Sequence, residues 1–291
     1  MKTRLPKVAA IHDLSGYGRA SLTAIIPTLS TMGVQVCPIP TAVLSNHTGG
    51  FEEFSYVDLT DTMGDYIDHW KKIGIDFDCI YSGFLGSKKQ IDIVSDFIDD
   101  FRHAETLVVV DPVMGDNGQL YKSFTWDFVP LMQTLIGKAD IITPNYTEAG
   151  FLLGYKKAPD SLSNEELKDW LHQLSDMGPD IVVITSVPDP EFADCTHVVA
   201  YDKKADITWK LTCHYIPAHY PGTGDTFTSV LIGKLLQFES LPVALDFAIQ
   251  FISQCIKASY GFDYPKREGV LLERQLNFLS TRPVISDFET I

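Results

Sequence analysis

Short apolar runs rich in β-branched residues alternate along the chain with longer stretches whose apolar positions recur every three to four residues. The runs fall at residues 8–11, 34–39, 79–81, 107–110, 141–142 and 181–184. Helical spacing covers residues 20–32, 60–73, 88–101, 164–177, 226–238 and 241–258. Strands that are apolar on both faces and separated by helices predict a mainly parallel sheet covered by helices on each side. Residues 196–215 depart from this rhythm. Two strand patterns there flank the turn residues Asp202–Asp206, which predicts a small antiparallel edge element. No repeat, low-complexity tract or Pro/Gly-rich linker breaks the alternation, so residues 1–291 read as a single α/β domain.

Polar or flexible residues follow each apolar run. His12-Asp13 follows the first, Thr41 and Ser45-Asn46-His47 the second, and Ser82-Gly83 the third. Asp111-Pro112 follows the fourth, Thr143-Pro144-Asn145 the fifth and Thr185-Ser186 the sixth. Ligands of open α/β sheets bind outside the carboxyl ends of the strands, so this recurrence predicts a site on one sheet edge.

The most informative segment is Pro221-Gly222-Thr223-Gly224-Asp225, which leads directly into a helical pattern. Glycines before a helix let several N–H groups face one point, and the helix dipole adds partial positive charge there. A carboxylate in the first turn, Asp225, then stands beside a bound anion. Phosphoryl transfer to an alcohol needs both parts: donors for the charge on the moving group and a base for the alcohol proton. The plainer reading makes Asp225 a helix cap and the glycines a turn. Two other phosphate motifs fail. Gly16-Tyr17-Gly18 follows the first strand, but Ser21 stands where a third dinucleotide-binding glycine belongs, and the second strand ends in Thr41 rather than an acid. No GxxxxGK[ST] occurs, since Gly233-Lys234 lacks both the upstream glycine and the following hydroxyl residue.

Composition narrows the setting. Apolar residues make up 45% of the 291 and charged residues 21%, which is ordinary for a folded chain. A net charge of −15 disfavours nucleic acid and anionic membrane surfaces as partners. It leaves a nucleotide ligand open, because backbone N–H groups and a metal ion hold phosphate locally. The five cysteines, Cys37, Cys79, Cys195, Cys213 and Cys255, are scattered and form no CxxC pair, which indicates reduced thiols rather than a disulfide framework or a zinc site. The apolar run after the basic N-terminus is too short for a signal peptide, and no stretch reads as a transmembrane span, so a cytoplasmic location is expected.

Six motifs in order carry a family resemblance. They are Thr41-Ala-Val-Leu-Ser45-Asn46-His47-Thr48-Gly49, Tyr81-Ser-Gly83-Phe84-Leu-Gly86-Ser87, Val110-Asp111-Pro112-Val113-Met114-Gly115-Asp116, Thr143-Pro144-Asn145-Tyr-Thr-Glu148, Val183-Ile184-Thr185-Ser186 and Gly222-Thr-Gly-Asp225. Over nearly its whole length the chain resembles the ribokinase-like superfamily, and its vitamin B6 (pyridoxal) kinase branch in particular. The resemblance implies a three-layer α/β/α fold with a mainly parallel central sheet, and ATP-dependent phosphorylation of the 5′-hydroxyl of a B6 vitamer. It makes Asp225 the general base and assigns Gly222, Thr223 and Gly224 to the moving phosphoryl group. It places Thr143, Asn145, Thr185 and Ser186 at the nucleotide, and Asp111, Asp116 and Glu148 at Mg²⁺ and its waters, with K⁺ close by. Asp13, Thr41, His47 and Phe84 would line the vitamin pocket, and a homodimer is implied. Better-known members of the branch have a serine where Tyr17-Gly18 aligns Asp13, so a carboxylate there would favour a cationic vitamer. The nearest alternative is hydroxymethylpyrimidine kinase, with the same chemistry on a thiamine precursor; a non-catalytic nucleotide- or B6-binding relative is the other.

Overall fold

The computed structural model describes residues 4–192, 195–214, 218–281 and 288–291. These form two compact units, one of residues 4–81, 101–106 and 218–281, the other of residues 82–100, 107–192, 195–214 and 288–291. The first unit opens with β1 (Lys7–Ser15), α1 (Leu22–Thr31), β2 (Gln35–Leu44), β3 (Tyr56–Asp58), α2 (Thr60–Lys72) and β4 (Cys79–Ser82). The second runs through α3 (Lys88–Phe101), β5 (Leu107–Val110), β6 (Gly115–Asp116), β7 (Gln119–Leu120), α4 (Phe128–Ile136) and β8 (Ile141–Ile142). It continues with α5 (Tyr146–Leu152), α6 (Asn164–Asp176), β9 (Ile181–Pro188), β10 (Cys195–Asp202) and β11 (Ile207–His214). The chain returns to the first unit with α7 (Thr223–Leu236), α8 (Leu241–Tyr260) and three short 3₁₀ turns, and ends in the second with β12 (Glu289–Thr290).

In the first unit the strand order is β4-β1-β2-β3. β1 and β2 are parallel, and β3 adds antiparallel to β2. Val8, Ala9, Ala10 and Ile11 are wholly buried, as expected of a strand covered on both faces. α7 is buried continuously from Thr226 to Lys234 and packs against α1 and α8. A helix enclosed in this way shows little amphipathic period. α8 corrects one sequence expectation, because at twenty residues it is long and apolar enough to cross a membrane. Here Leu245, Phe247, Ala248, Phe251 and Cys255 are buried in the unit, with Asp246 among them, so the apolar length serves the core.

The second unit orders its strands β5-β8-β9-β10-β11-β12. β5, β8 and β9 are parallel, whereas β10, β11 and β12 add antiparallel. The antiparallel pair expected around Asp202–Asp206 is therefore present, with Asp206 at φ 54 in the turn; Tyr215, the last residue of that expectation, lies outside the described residues. Several elements had no sequence signal. β6 and β7 are two residues each, too short for any period. They form a hairpin around Asn117 (φ 51) and Gly118 (φ 74), the left-handed pair of a type I′ turn. β3 has only three residues. α5 is buried at every position and so has no polar face to mark its period.

α6 begins with a capping box: Glu166 N–H donates to Ser163 Oγ at 3.3 Å, and Ser163 N–H donates to Glu166 Oε2 at 2.8 Å. Ser163→Ala leaves a first-turn donor unpaired and should lower unfolding stability by about 1 kcal/mol. Urea or thermal unfolding of the variant beside the wild type checks this.

Candidate active site

The first unit builds its site from the loop before α7. Gly222 is the N-cap of that helix in the left-handed region (φ 78), and no side chain caps the first turn. A Cβ at Gly222 would lie 2.0 Å from the Arg19 carbonyl oxygen and 2.9 Å from Ala20 Cα. Only glycine fits where the 19–21 turn presses against the loop. Thr223 Oγ1 donates to the Tyr220 carbonyl at 3.1 Å, and Thr226 Oγ1 donates to the Gly222 carbonyl at 2.8 Å, which locks the bend. The outcome is a rigid helix terminus whose first N–H groups no side chain occupies, which suits an anion.

Asp225 stands in that first turn, and its carboxylate does not cap the helix. Its Oδ2 accepts from Ser21 N–H at 2.8 Å, a donor 204 residues away. The plainer reading of Asp225 as a helix cap is thereby excluded. The side chain keeps 15% exposure, enough for a small ligand to reach it. Burial pushes its pKa up to about 6; the negative charge of Asp13 adds to this, and the Ser21 N–H opposes it. A carboxylate with this pKa is ionised at neutral pH yet basic enough to take up a proton.

Asp13 lies at a register break in β1, between His12 and Leu14, where one residue of β1 faces both Thr41 and Ala42 of β2. Such an irregularity re-aims a side chain. Both Asp13 oxygens are engaged: Ser15 Oγ donates to Oδ2 at 2.9 Å and Ser21 Oγ donates to Oδ1 at 2.5 Å. Burial raises its pKa and the two hydroxyls pull the other way. Thr41, on the facing step of β2, is buried. His47 is held equally firmly. Its Nδ1 accepts from Gly49 N–H at 3.1 Å and its Nε2 lies 2.7 Å from the Arg267 carbonyl, which sets the tautomer with hydrogen on Nε2. Burial lowers its pKa, so the ring is neutral. Gly18, at φ 92, leaves space for this ring, since a Cβ there would lie 2.5 Å from it.

Two residues of this site had no role assigned from the sequence. Ser21 enters only as a failed dinucleotide-binding position, yet it touches both carboxylates. His12 is wholly buried beside the Tyr81 backbone and ring, and its Nδ1 is 4.0 Å from Asp225 Oδ1. Burial depresses its pKa to about 3, so it faces Asp225 uncharged.

The second unit gathers the other set. Asn145 caps α5: its Oδ1 accepts from Glu148 N–H at 2.9 Å and its Nδ2 donates to the Gly115 carbonyl at 2.9 Å. Glu148 completes the capping box through Asn145 N–H at 3.0 Å, and its other oxygen accepts from Met114 N–H at 3.0 Å and Gly115 N–H at 3.4 Å. Burial pushes its pKa up to about 8, against the pull of those three N–H groups and with help from the charge of Asp116. The pair thus ties the start of α5 to the hairpin that carries Asp116. Asp116 itself accepts from Asn117 N–H at 2.8 Å and from Asn117 Nδ2 at 3.1 Å.

Asp111, at the end of β5, is buried and its N–H donates to the Ser82 carbonyl at 2.9 Å. Thr143 ends β8, with its N–H on the Val110 carbonyl at 3.2 Å. Thr185 and Asn145 form a parallel bridge, and Thr185 N–H donates to the Pro144 carbonyl at 3.0 Å. Ser186 follows at φ 58, exposed, beside a register shift between His197 and Val199 of β10. Strain of that kind collects at ligand sites. Phe84 packs its ring 5.5 Å from Phe124 in the same unit.

Among the described residues no three His, Cys, Asp or Glu side chains form a group able to hold a metal ion. Mg²⁺ fits the acids that are present, since it keeps several waters and takes one or two carboxylates together with substrate phosphates. Asp111 and Asp116 are the acids that could serve it. Glu148, with three backbone donors on its oxygens, is suited to contact through water.

Comparison with known proteins shows the family. The phosphomethylpyrimidine kinase family model matches residues 16–269. A crystal form containing pyridoxal, of a Bacteroides thetaiotaomicron protein assigned provisionally to the phosphomethylpyrimidine kinases, is 54% identical; the match covers 99% of this chain and 100% of that one, with a TM-score of 0.95. Pyridoxal kinase from Lactobacillus plantarum is 31% identical over 95% of this chain and 97% of its own, with a TM-score of 0.86. A curated pyridoxal kinase of Corynebacterium diphtheriae is 27% identical over 92% of this chain and 94% of its own length. The chain therefore belongs to the phosphomethylpyrimidine kinase family and, within the ribokinase-like α/β fold, stands with the pyridoxal kinases.

Proposed function

We propose that this protein is an ATP-dependent kinase that phosphorylates the 5′-hydroxyl of a vitamin B6 vitamer, with Asp225 as general base. The observation that carries the reading is the largely buried Asp225 carboxylate in the first turn of a helix that no side chain caps. Asp225 takes the alcohol proton as the oxygen attacks. The N–H groups of Gly222, Thr223 and Gly224 bear the charge of the phosphoryl group in flight. In the second unit Thr143, Asn145, Thr185 and Ser186 contact the nucleotide, while Asp111, Asp116 and Glu148 hold Mg²⁺ directly or through water. Bound Mg²⁺ supplies neutralisation of the phosphate charge. We assign Thr41 on the first unit, and Phe84 on the second, to contact with the vitamin. His47 meets it through its ring, because its two nitrogens are already bonded within the protein. Both Asp13 oxygens carry hydroxyl bonds, so a cationic vitamer would compete with them for that carboxylate. The proposal extends to one catalytic domain over residues 1–291, a homodimer in the cytoplasm, and K⁺ beside the nucleotide. The family's name and the phosphomethylpyrimidine assignment of the Bacteroides relative favour hydroxymethylpyrimidine as the second substrate to try.

Steady-state ATP turnover with pyridoxal, pyridoxamine, pyridoxine and hydroxymethylpyrimidine tests the reading. Turnover with a B6 vitamer is expected, and Asp225→Ala should lower it by about 10² or more. Turnover with the pyrimidine alone would move the protein to the other substrate. A full-rate Asp225→Ala would overturn the assignment of the base.

The pH profile follows from the raised carboxyl. Below about 6 Asp225 is protonated and cannot accept the alcohol proton. Accordingly kcat/KM should rise with pH through that region and level off above it. A profile flat down to pH 4.5 would place the essential base elsewhere.

A further inference from the structure

Ser21 occupies a backbone conformation that an L residue seldom adopts. Its φ is 50 and its ψ −136, close to the first central position of a type II′ turn, where glycine is favoured. The residue is nonetheless buried, with only 8% exposure. The conformation turns its N–H toward Asp225 Oδ2 at 2.8 Å while its hydroxyl reaches Asp13 Oδ1 at 2.5 Å. Backbone and side chain of one residue thus serve two carboxylates on separate elements. The turn that carries it is wedged against the helix terminus, where the Arg19 carbonyl and Ala20 Cα exclude any Cβ at Gly222. Its place is fixed further by Ser21 O, which accepts from Ala24 N–H at 3.0 Å and Ile25 N–H at 2.9 Å as α1 begins.

We propose that Ser21 is a positioning residue for phosphoryl transfer, its N–H aiming the Asp225 carboxylate and its hydroxyl holding the Asp13 carboxyl behind it. The inference rests on the reading of Asp225 as base. The hydroxyl stabilises ionised Asp13, whose charge in turn makes Asp225 a stronger base. Asp225 is faced by His12 and Asp13 from β1 and by the Ser21 N–H from the turn before α1. Asp13 is faced by Ser15, Ser21 and His47, and its charge also reaches Tyr56 on β3. Burial is the main cause of the raised Asp225 carboxyl; with His12 neutral and both hydroxyls uncharged, Asp13 is the charged neighbour that adds to it.

Two substitutions separate position from fold. Ser21→Ala keeps the N–H and the strained backbone but removes the hydroxyl. Ser21→Gly removes the hydroxyl and relieves the strain, so it should unfold at the same temperature as wild type or higher. Both should lower kcat by about tenfold or more while KM for ATP stays unchanged. In Ser21→Ala the acid limb of kcat/KM should move to lower pH, because Asp13 without its donor becomes protonated more readily and repels Asp225 less. Carboxyl ¹³C titration of Asp225 by NMR in wild type and Ser21→Ala should show the same downward shift, and it needs no turnover. A wild-type kcat in both variants, or an Asp225 titration unmoved in Ser21→Ala, would overturn the proposal. If instead Asp225→Ala keeps full activity, the reading of the base fails, and the NMR arm still decides whether Ser21 couples the two carboxylates.

Discussion

A carboxylate leaves water at a cost of several kcal/mol unless fixed donors replace its hydration shell, and this constraint organises both units. Asp225 keeps one backbone donor, from Ser21, and remains partly exposed. Glu148 keeps three, from Met114, Gly115 and Asn145, and is buried. The number of donors and the exposure separate their roles. Asp225 has lone pairs left for a reacting proton. Most of Glu148's capacity is spent on tying a hairpin to a helix.

The donors themselves require unusual backbone. Ser21 offers its N–H from a positive φ, and Gly222 holds the uncapped terminus in the left-handed region against the Arg19 carbonyl. On the second unit Asn117 and Gly118 turn the hairpin that carries Asp116, and Ser186 stands at φ 58 within β9. These positions are held by dense surroundings: the core of α1, α7 and α8 in one unit, and the fully buried α5 in the other. Packing of the apolar helices is thus what keeps the polar geometry in place. Deleting methylenes from α7 would loosen the loop before it as well as the core.

Much of the architecture was legible because it follows from period. The strands at 107–110 and 141–142 coincide with their apolar runs, and α2, α3 and α6 match their helical spacing within one residue at either end. The turn at Asp202–Asp206 marked the antiparallel pair through its composition. The glycines and acid of residues 222–225 pointed to the loop before α7 as the candidate site. β3, β6, β7, α4 and α5 were missed. Elements of two or three residues have no period, α5 is buried at every position, and α4 has only Gln133 and Thr134 as polar residues in nine.

By itself the sequence determined the alternation of strands and helices and singled out the loop before α7 as the candidate site, because both depend on neighbours within a few positions. Only the tertiary structure decided which donors reach which carboxylate. Ser21 and Asp225 are 204 residues apart and meet through one hydrogen bond; His47 is fixed by a carbonyl 220 residues further on. Such pairings arise from how elements pack, and local pattern carries no record of them. The same holds for α8, whose length and apolar composition suit a membrane span and whose burial makes it a core helix.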